Sequence, residues 1–337
     1  MTRDVGAALV ALALVAAGAA PIVAPHAPDS HFSQLLNAPP TIVRLVDAGG
    51  RWHAPFIYPW RLVNQLEQRY EEDRSTIAPL AWFSGGKLLR SSNDEAPLLL
   101  LGADNYGRDV FTRLIFGART SLALAIASAF GAMFIGVSLG AAAGFSGGAV
   151  DEVLMRATDF VMVLPAIYVA LALRSVLPLV LTPGQVFALL AAIFAIVGAP
   201  FVARGVRAIV RSERRLDYAA AAEALGASDA RLLVRHLIPA ARGFIAVQIT
   251  LLVPAFIIAE ATLSYVGLGF PDAVASWGTM LHDASTNIRV FADFPWLLSP
   301  AAAMFLVVLG VNLALQDAGT VVFAESGEPR RGVKSGS

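Results

Sequence analysis

The sequence predicts an all-α membrane protein with about six transmembrane helices. Of its 337 residues, 57% are hydrophobic and only 15% are charged, and the mean hydropathy is +0.66. This composition lies outside the usual range of soluble globular domains. Six stretches approach the roughly 20 apolar residues that a helix needs to cross a bilayer. They are Val5–Ala24, Ser121–Phe145, Val153–Leu177, Gln185–Val202, Phe244–Leu268 and Leu297–Phe323.

The first apolar stretch has two interpretations. Arg3, the apolar run and the small residues at 17–20 also describe a cleavable signal peptide. In either case the segment from Pro25 to about Thr120 is predicted to be translocated. The predicted organisation is an N-terminal helix at 1–25, an extracytoplasmic segment at 26–117, a transmembrane domain at 118–323 and a cytoplasmic tail at 324–337.

The arginines set the predicted orientation, because short cytoplasmic loops carry an excess of Lys and Arg. The loop between the fourth and fifth stretches contains eight arginines: Arg204, Arg207, Arg211, Arg214, Arg215, Arg231, Arg235 and Arg242. The loop after the fifth stretch has only Arg289, beside Asp272, Asp283 and Asp293. The arginine-rich loop is therefore predicted to be cytoplasmic.

The segment at 26–117 is rich in aromatic residues: Trp52, Phe56, Tyr58, Trp60, Tyr70, Trp82 and Phe83. They predict either a small folded layer or a surface packed along the membrane interface. Between Arg61 and Asp73, the spacing of Leu62, Val63, Leu66 and Tyr70 predicts one amphipathic helix. The segment is interpreted as a loop packed on its own membrane domain, with a dedicated docking site as the alternative.

The arginine-rich loop contains a helix–turn–helix pattern between Asp217 and Pro239. Its alanine-rich start favours a helix, and Gly226 can end that helix in a left-handed turn. Asp229 can begin a second helix, and Pro239 marks the return to the membrane. The sequence therefore predicts two short helices that protrude from the bilayer.

The order of alanine block, glycine and Leu237-Ile238-Pro239 closely resembles the Glu-Ala-Ala loop of ABC importer permeases. In that family this coupling helix inserts into a groove on the ATP-binding subunit. Ala221, Ala222, Gly226 and Pro239 match by position, whereas the family's usual glutamate falls on Ala220. The resemblance implies a contact with the ATPase made by seven residues: Ala221, Ala222, Glu223, Gly226, Ala227, Asp229 and Pro239.

Two further segments resemble C-type permeases of dipeptide and oligopeptide importers. One runs from Gly102 to Val110, before the second membrane helix, and the other is Glu260–Phe270 followed by Ser276-Trp277-Gly278. The first implies an extracytoplasmic gate motif composed of Asp104, Asn105, Gly107, Arg108 and Asp109. This motif would either stabilise the gate or touch the binding protein or peptide.

Glu260 lies within a predicted span, where a carboxyl group is costly and indicates a specific role. Hydrogen bonding between helices is favoured over proton transport. Gly136, Gly140, Gly144 and Gly148 recur every four residues, which predicts one helix face suited to close packing.

The resemblance implies a bacterial inner-membrane subunit that forms half of a path for di- or oligopeptides, with nickel or another small solute as the alternative cargo. The implied partners are a second permease subunit, two ATP-binding subunits or domains, an extracytoplasmic substrate-binding protein and membrane lipid, but no nucleic acid. ATP and Mg²⁺ would be bound by the ATPase, and no cofactor by this chain.

No catalytic or metal-binding residue is expected in this chain. Cysteine is absent, and the five histidines have no recognised metal spacing. Gly86-Lys87 lacks the other residues of a phosphate-binding loop. Ser138 and Ser146 match the serine-hydrolase elbow by letter, so a membrane-embedded hydrolase is the rival hypothesis, but that elbow requires a strand–turn–helix setting.

Overall fold

The computed structural model describes residues 2–93, 95–164, 168–169, 171–172, 175, 181–286, 289 and 291–325. Within these residues, five helical segments are long and apolar enough to cross a membrane. They are Thr2–Val23 (α1), Val110–Ser146 (α2), Pro183–Glu213 (α4), Arg242–Tyr265 (α7) and Pro295–Ala314. The predicted span Val153–Leu177 lies partly outside the described residues, and it begins inside the 16-residue helix Gly148–Val163 (α3).

Shorter helices join these spans. Asp217–Ala224 (α5) and Asp229–Leu232 (α6) follow α4, and a π-helical turn at Leu233–Leu237 continues α6. Trp277–Ser285 (α8) precedes the last helix, Ser299–Glu325 (α9). The predicted helical membrane fold is confirmed, and a β layer is added to it.

Small residues determine how α2 packs on α4. A Cβ atom added at Gly136, Gly140 or Gly144 would lie 2.7, 2.4 or 2.7 Å from a backbone oxygen of α4. The two backbones are therefore as close as the glycine spacing predicts. The prediction is wrong for Gly148, because α2 ends at Ser146 and Gly148 opens α3 with φ +54° and free space around it.

Helix α1 packs on α9 through another glycine pair. A Cβ atom on Gly6 would lie 2.6 Å from the backbone oxygen of Gly310. The opposite side of α1 exposes large apolar side chains, including Leu12, Val15 and Ile22.

The β layer occupies Arg44–Ser91 and adjoins the C-terminal end of α1. In the described residues it has a four-stranded antiparallel sheet and a separate hairpin. The sheet has the order β1-β2-β5-β6, with strands Arg44–Val46 (β1), Trp52–Ile57 (β2), Ala78–Ser84 (β5) and Lys87–Ser91 (β6). Ile57, Ala78 and Leu80 pack with Ala96 and Leu98 beneath it. Of the two alternatives predicted for the aromatic residues of this segment, the structure shows the small folded layer.

The amphipathic helix predicted between Arg61 and Asp73 is wrong. Trp60–Asn64 (β3) and Arg69–Glu72 (β4) form a hairpin instead. The Asn64 side-chain oxygen accepts hydrogen bonds from two backbone amides in the turn, and Gln68 has φ +51°. These local bonds give the backbone an alternative to a helix. The hairpin is held in place by the Tyr70 hydroxyl, which donates to the Leu36 carbonyl at 2.7 Å.

Candidate functional site

Four buried charged residues form a compact cluster at the start of α2. The cluster, called the polar quartet below, consists of Asp104, Arg108, Arg113 and Asp283. Arg108 donates to Asp104 and to Asp283, each over 2.6 Å. The Arg113 guanidinium lies 3.9 Å from each of the same carboxylates. The quartet therefore balances two positive and two negative charges and joins α2 to α8.

Burial and charge act in opposite directions on Asp283. Burial raises the pKa of its carboxyl, and the nearby arginines Arg108 and Arg113 oppose that shift. Both arginines also donate to the backbone oxygen of Asp272 at 3.3 Å. The loop between α7 and α8 is thereby tied to the same cluster.

The turn before α2 is built as the motif predicts. Gly107 has φ +74°, and a Cβ atom there would lie 2.3 Å from the Phe32 oxygen, so the position requires glycine. Asp109 is the N-cap of α2 and accepts from the Phe111 amide at 3.1 Å. Its other oxygen lies 3.1 Å from His26 Nδ1, which connects the segment just after α1 to α2.

The five predicted gate residues differ in where they lie relative to the turn before α2. Asp104, Gly107, Arg108 and Asp109 meet at the turn, whereas Asn105 lies at its edge and donates to Thr286 at 3.3 Å. The sequence analysis did not predict Arg113 and Asp283 as members of the polar quartet. A charged residue within the apolar run from Val110 to Ile115 was the available signal for Arg113.

Glu260 joins two spans and a loop. Its carboxylate accepts from Ser121 of α2 at 2.8 Å, from Ser264 one turn along α7 at 2.7 Å, and from Ser276 before α8 at 2.8 Å. The side chain is fully buried, so these hydroxyls satisfy a group that would otherwise be costly there. This geometry is that of a helix-to-helix connection.

The helix–turn–helix segment, Asp217–Ala240, has the predicted shape. The first helix ends in a Schellman motif, in which the Ala227 amide donates to the Ala222 oxygen at 3.0 Å and the Gly226 amide donates to the Glu223 oxygen at 2.9 Å. Gly226 has φ +81°. Asp229 is the first residue of α6, and Pro239 lies in the helical turn Ile238–Ala240.

The helix–turn–helix segment has one side buried against the main core and one side exposed. Ala219, Leu232 and Leu237 are fully buried in the main core. At the turn, Leu225 is 89% exposed, and Val234 of the π-helical turn is also exposed. Glu223 is exposed as well, so the turn presents a mixed apolar and acidic surface.

Two contacts connect α4 and the start of this segment to neighbouring elements. Arg207 of α4 donates to both carboxylate oxygens of Asp151 in α3, and this contact lowers the pKa of Asp151. Tyr218 of α5 donates to Glu213 at 2.7 Å. Burial, followed by the Glu213 contact, raises the pKa of Tyr218 to about 12, so its hydroxyl stays protonated.

The hydrolase hypothesis does not fit the geometry around its two serines. Ser138 lies inside α2 and donates to the Phe134 carbonyl at 2.7 Å, and Ser146 ends the same helix. Neither lies on the strand–turn–helix that the elbow requires. Among the described residues, no group of three potential ligands is placed to hold a metal ion.

Comparison with known proteins gives several matches. The family model for "Binding-protein-dependent transport system inner membrane component" matches residues 136–318, more than half of the chain. The oligopeptide transport system permease protein OppC of Bacillus subtilis (strain 168) is 38% identical over 232 residues, which cover 68% of this chain and 73% of that protein. The di/tripeptide transport system permease protein DppC of Pseudomonas aeruginosa (strain UCBPP-PA14) is 34% identical over 262 residues, which cover 77% and 78%.

A third relative is the glutathione transport system permease protein GsiD of Pectobacterium atrosepticum, 34% identical over 213 residues that cover 63% of this chain and 68% of that protein. The matched family region contains the helix–turn–helix segment and Glu260. These relatives are transport subunits rather than enzymes, which removes the hydrolase hypothesis. The chain therefore belongs to the family of inner membrane components of binding-protein-dependent transport systems.

Proposed function

We propose that this chain forms half of the membrane path of an ATP-driven importer for di- or oligopeptides. Relatives named for oligopeptide, di/tripeptide and glutathione transport support peptides as cargo over nickel or another small solute. The proposed partners are a second permease subunit, two ATP-binding subunits that hold ATP and Mg²⁺, and an extracytoplasmic substrate-binding protein.

The helix–turn–helix segment is the observation that carries this proposal. Its buried residues fix it to the membrane core, while Leu225 at the turn is 89% exposed and Glu223 is exposed beside it. A helix end with an exposed apolar tip suits insertion into a groove on a partner. We assign this partner as the ATPase, and Ala221, Ala222, Ala227, Asp229 and Pro239 as residues that shape or border the contact.

Substitution of Gly226 tests the coupling role. A valine there must adopt φ near +81°, which costs about 1–2 kcal/mol in a left-handed position. We expect Gly226→Val to weaken ATPase association by roughly tenfold and to reduce transport in proportion. The measurements are the co-purification of the ATPase and the uptake of labelled peptide.

The matched control is Gly226→Asn, because asparagine tolerates left-handed backbone better than other residues with a side chain. It is expected to keep most of the association. The affinity of the separate binding protein for its cargo should be the same with all three permeases. Wild-type association and uptake in Gly226→Val would refute the coupling role.

An apolar cleft of about 320 Å³ lies between α4 and α7 and is lined by residues such as Phe194, Gly198, Phe256 and Ala259. We propose that this cleft forms part of the wall that the chain offers to the path. Such a surface has little to discriminate one peptide side chain from another. We therefore assign cargo selectivity mainly to the binding protein.

Exchange of binding proteins between this importer and a related one tests that assignment. Uptake should follow the binding protein, so that each hybrid imports the cargo of its donor. Uptake that followed this permease instead would require a selective site within the spans.

In this proposal, residues 1–25 are a retained helix and residues 26–117 are extracytoplasmic. Residues 118–323 are the transmembrane domain, in which the helix–turn–helix segment faces the cytoplasm, and residues 324–337 are the cytoplasmic tail. The polar quartet then lies at the outer face, where it would stabilise the external gate.

A further inference from the structure

The hairpin between β5 and β6 has an exposed aromatic tip beside the end of α1. Phe83 is 75% exposed and Trp82 is 57% exposed. The two strands turn at Gly85 and Gly86, which have φ of +59° and +75°. Phe83 itself has φ +53°, a conformation uncommon for a bulky residue and retained only where surrounding structure holds it.

Lys87 fixes the height of this tip relative to the membrane. Its ammonium group donates to the Pro21 carbonyl at 3.0 Å and to the His26 carbonyl at 3.4 Å. Pro21 lies in the last turn of α1, a candidate membrane span that ends at Val23. Ser84 pairs directly with Lys87 across the hairpin, and Phe83 is the residue before Ser84. Phe83 is therefore close in the hairpin to the lysine that contacts α1. With α1 as a retained membrane span, as proposed above, the tip lies at the level where α1 leaves the bilayer.

Helix α1, which Lys87 contacts at its C-terminal end, also exposes large apolar side chains. Leu12, Val15 and Ile22 are exposed along that helix, and Ile22 is adjacent to the residue that Lys87 contacts. The Arg90 guanidinium also lies at the tip, 3.7 Å from where a Cβ atom on Gly85 would be. Tryptophan and cationic side chains at the end of a span are typical of the headgroup level of a bilayer.

We propose that the β5–β6 tip is a membrane-interface anchor, in which Trp82 and Phe83 insert into the phospholipid headgroup layer beside the end of α1. Lys87 holds the tip at this depth through the carbonyls of α1. The anchor would tie the β layer to the bilayer surface as well as to the helices. This inference rests on the proposed retention of α1 as a membrane span and does not depend on the cargo.

Depth measurement in the complete transporter tests the anchor. The chain has no cysteine, so a single spin label can be introduced by Phe83→Cys, with partner subunits freed of cysteine. The transporter is placed in nanodiscs of phosphatidylcholine and phosphatidylglycerol. Accessibility is then measured to oxygen, which concentrates in the bilayer, and to a water-soluble nickel chelate.

Ser75 provides the matched control, because it is exposed and lies beyond the opposite end of β5, a strand about 20 Å long. We expect the ratio of oxygen to nickel accessibility to be several-fold higher at position 83 than at Ser75→Cys. Trp82→Cys should also exceed the control, which guards against a local defect of the Phe83 variant. Equal ratios at 83 and 75 would overturn the anchor, as would exclusion of both reagents, which would indicate a protein partner.

Discussion

At the residue scale, the polar quartet shows how charges are kept in the interior of this protein. Arg108 donates hydrogen bonds to both carboxylates, and the Arg113 guanidinium lies 3.9 Å from each of them. A buried charge without a partner is costly, so each member depends on the others. The quartet is consequently a place where one substitution should affect several contacts at once.

Asp283→Asn is expected to destabilise the protein strongly. The substitution removes one negative charge and leaves Arg108 and Arg113 with Asp104 as the one carboxylate of the quartet, and breaking a buried pair costs about 3–5 kcal/mol. The thermal unfolding midpoint of the purified transporter in detergent should fall clearly. Asp293→Asn is the control, because the Asp293 side chain is 40% exposed and its pair with Arg289 is worth about 1 kcal/mol or less. Similar midpoints for the two variants would contradict the role given to the quartet.

Some of these residues could be predicted and others could not, for a physical reason. Asp109 and Gly226 act through the backbone within a few residues, so cap and turn chemistry in the sequence is enough to find them. Arg113 and Asp283 are 170 positions apart, and only the tertiary fold brings them to 3.9 Å. Local sequence patterns cannot predict a contact between residues so far apart in the chain.

At the element scale, the β3–β4 hairpin shows that one spacing can suit two structures. Leu62, Leu66 and Tyr70 share a helix face because they are four residues apart. The same residues suit a hairpin centred on Leu66, since Leu62 pairs directly with Tyr70. The turn contains no glycine or proline, so the usual hairpin signal is missing. The Asn64 turn and the Tyr70 contact with Leu36 decide in favour of the strands.

The glycine face of α2 gives an element-scale prediction. In Gly140→Ala the new methyl group would lie 2.4 Å from the Ala203 carbonyl of α4, so the helices must separate. Overpacking of this kind costs about 1–3 kcal/mol and should lower the unfolding midpoint. Gly18→Ala is the control, since it lies within α1 with nothing within 4 Å, and alanine there should be neutral or slightly stabilising. A wild-type midpoint for Gly140→Ala would mean that α2 and α4 are less tightly packed.

At the scale of the whole molecule, the hairpin β3–β4 and the helix–turn–helix segment are proposed to lie on opposite sides of the membrane. Each presents one very exposed leucine, Leu66 at 93% and Leu225 at 89%. The absence of native cysteine makes both positions suitable for single-site labelling.

In spheroplasts, a membrane-impermeant maleimide should label Leu66→Cys but not Leu225→Cys. After the membrane is opened, both variants should be labelled to a similar extent. The arginine excess around the helix–turn–helix segment is the physical basis for this result. Labelling of position 225 from outside sealed spheroplasts would reverse the proposed topology.

Helix α2 has a mechanical consequence for the complete transporter. Its 37 residues extend about 55 Å, well beyond the roughly 30 Å of hydrocarbon, and they include no proline. Helices α4 and α7 each have an internal proline, Pro200 and Pro254, where bending is favoured. One end of α2 begins beside the quartet, and near the other end the Phe145 carbonyl accepts from Arg214, next to the helix–turn–helix segment. The helix can therefore act as a stiff lever, in which a tilt of about 5° at one end displaces the other by about 5 Å.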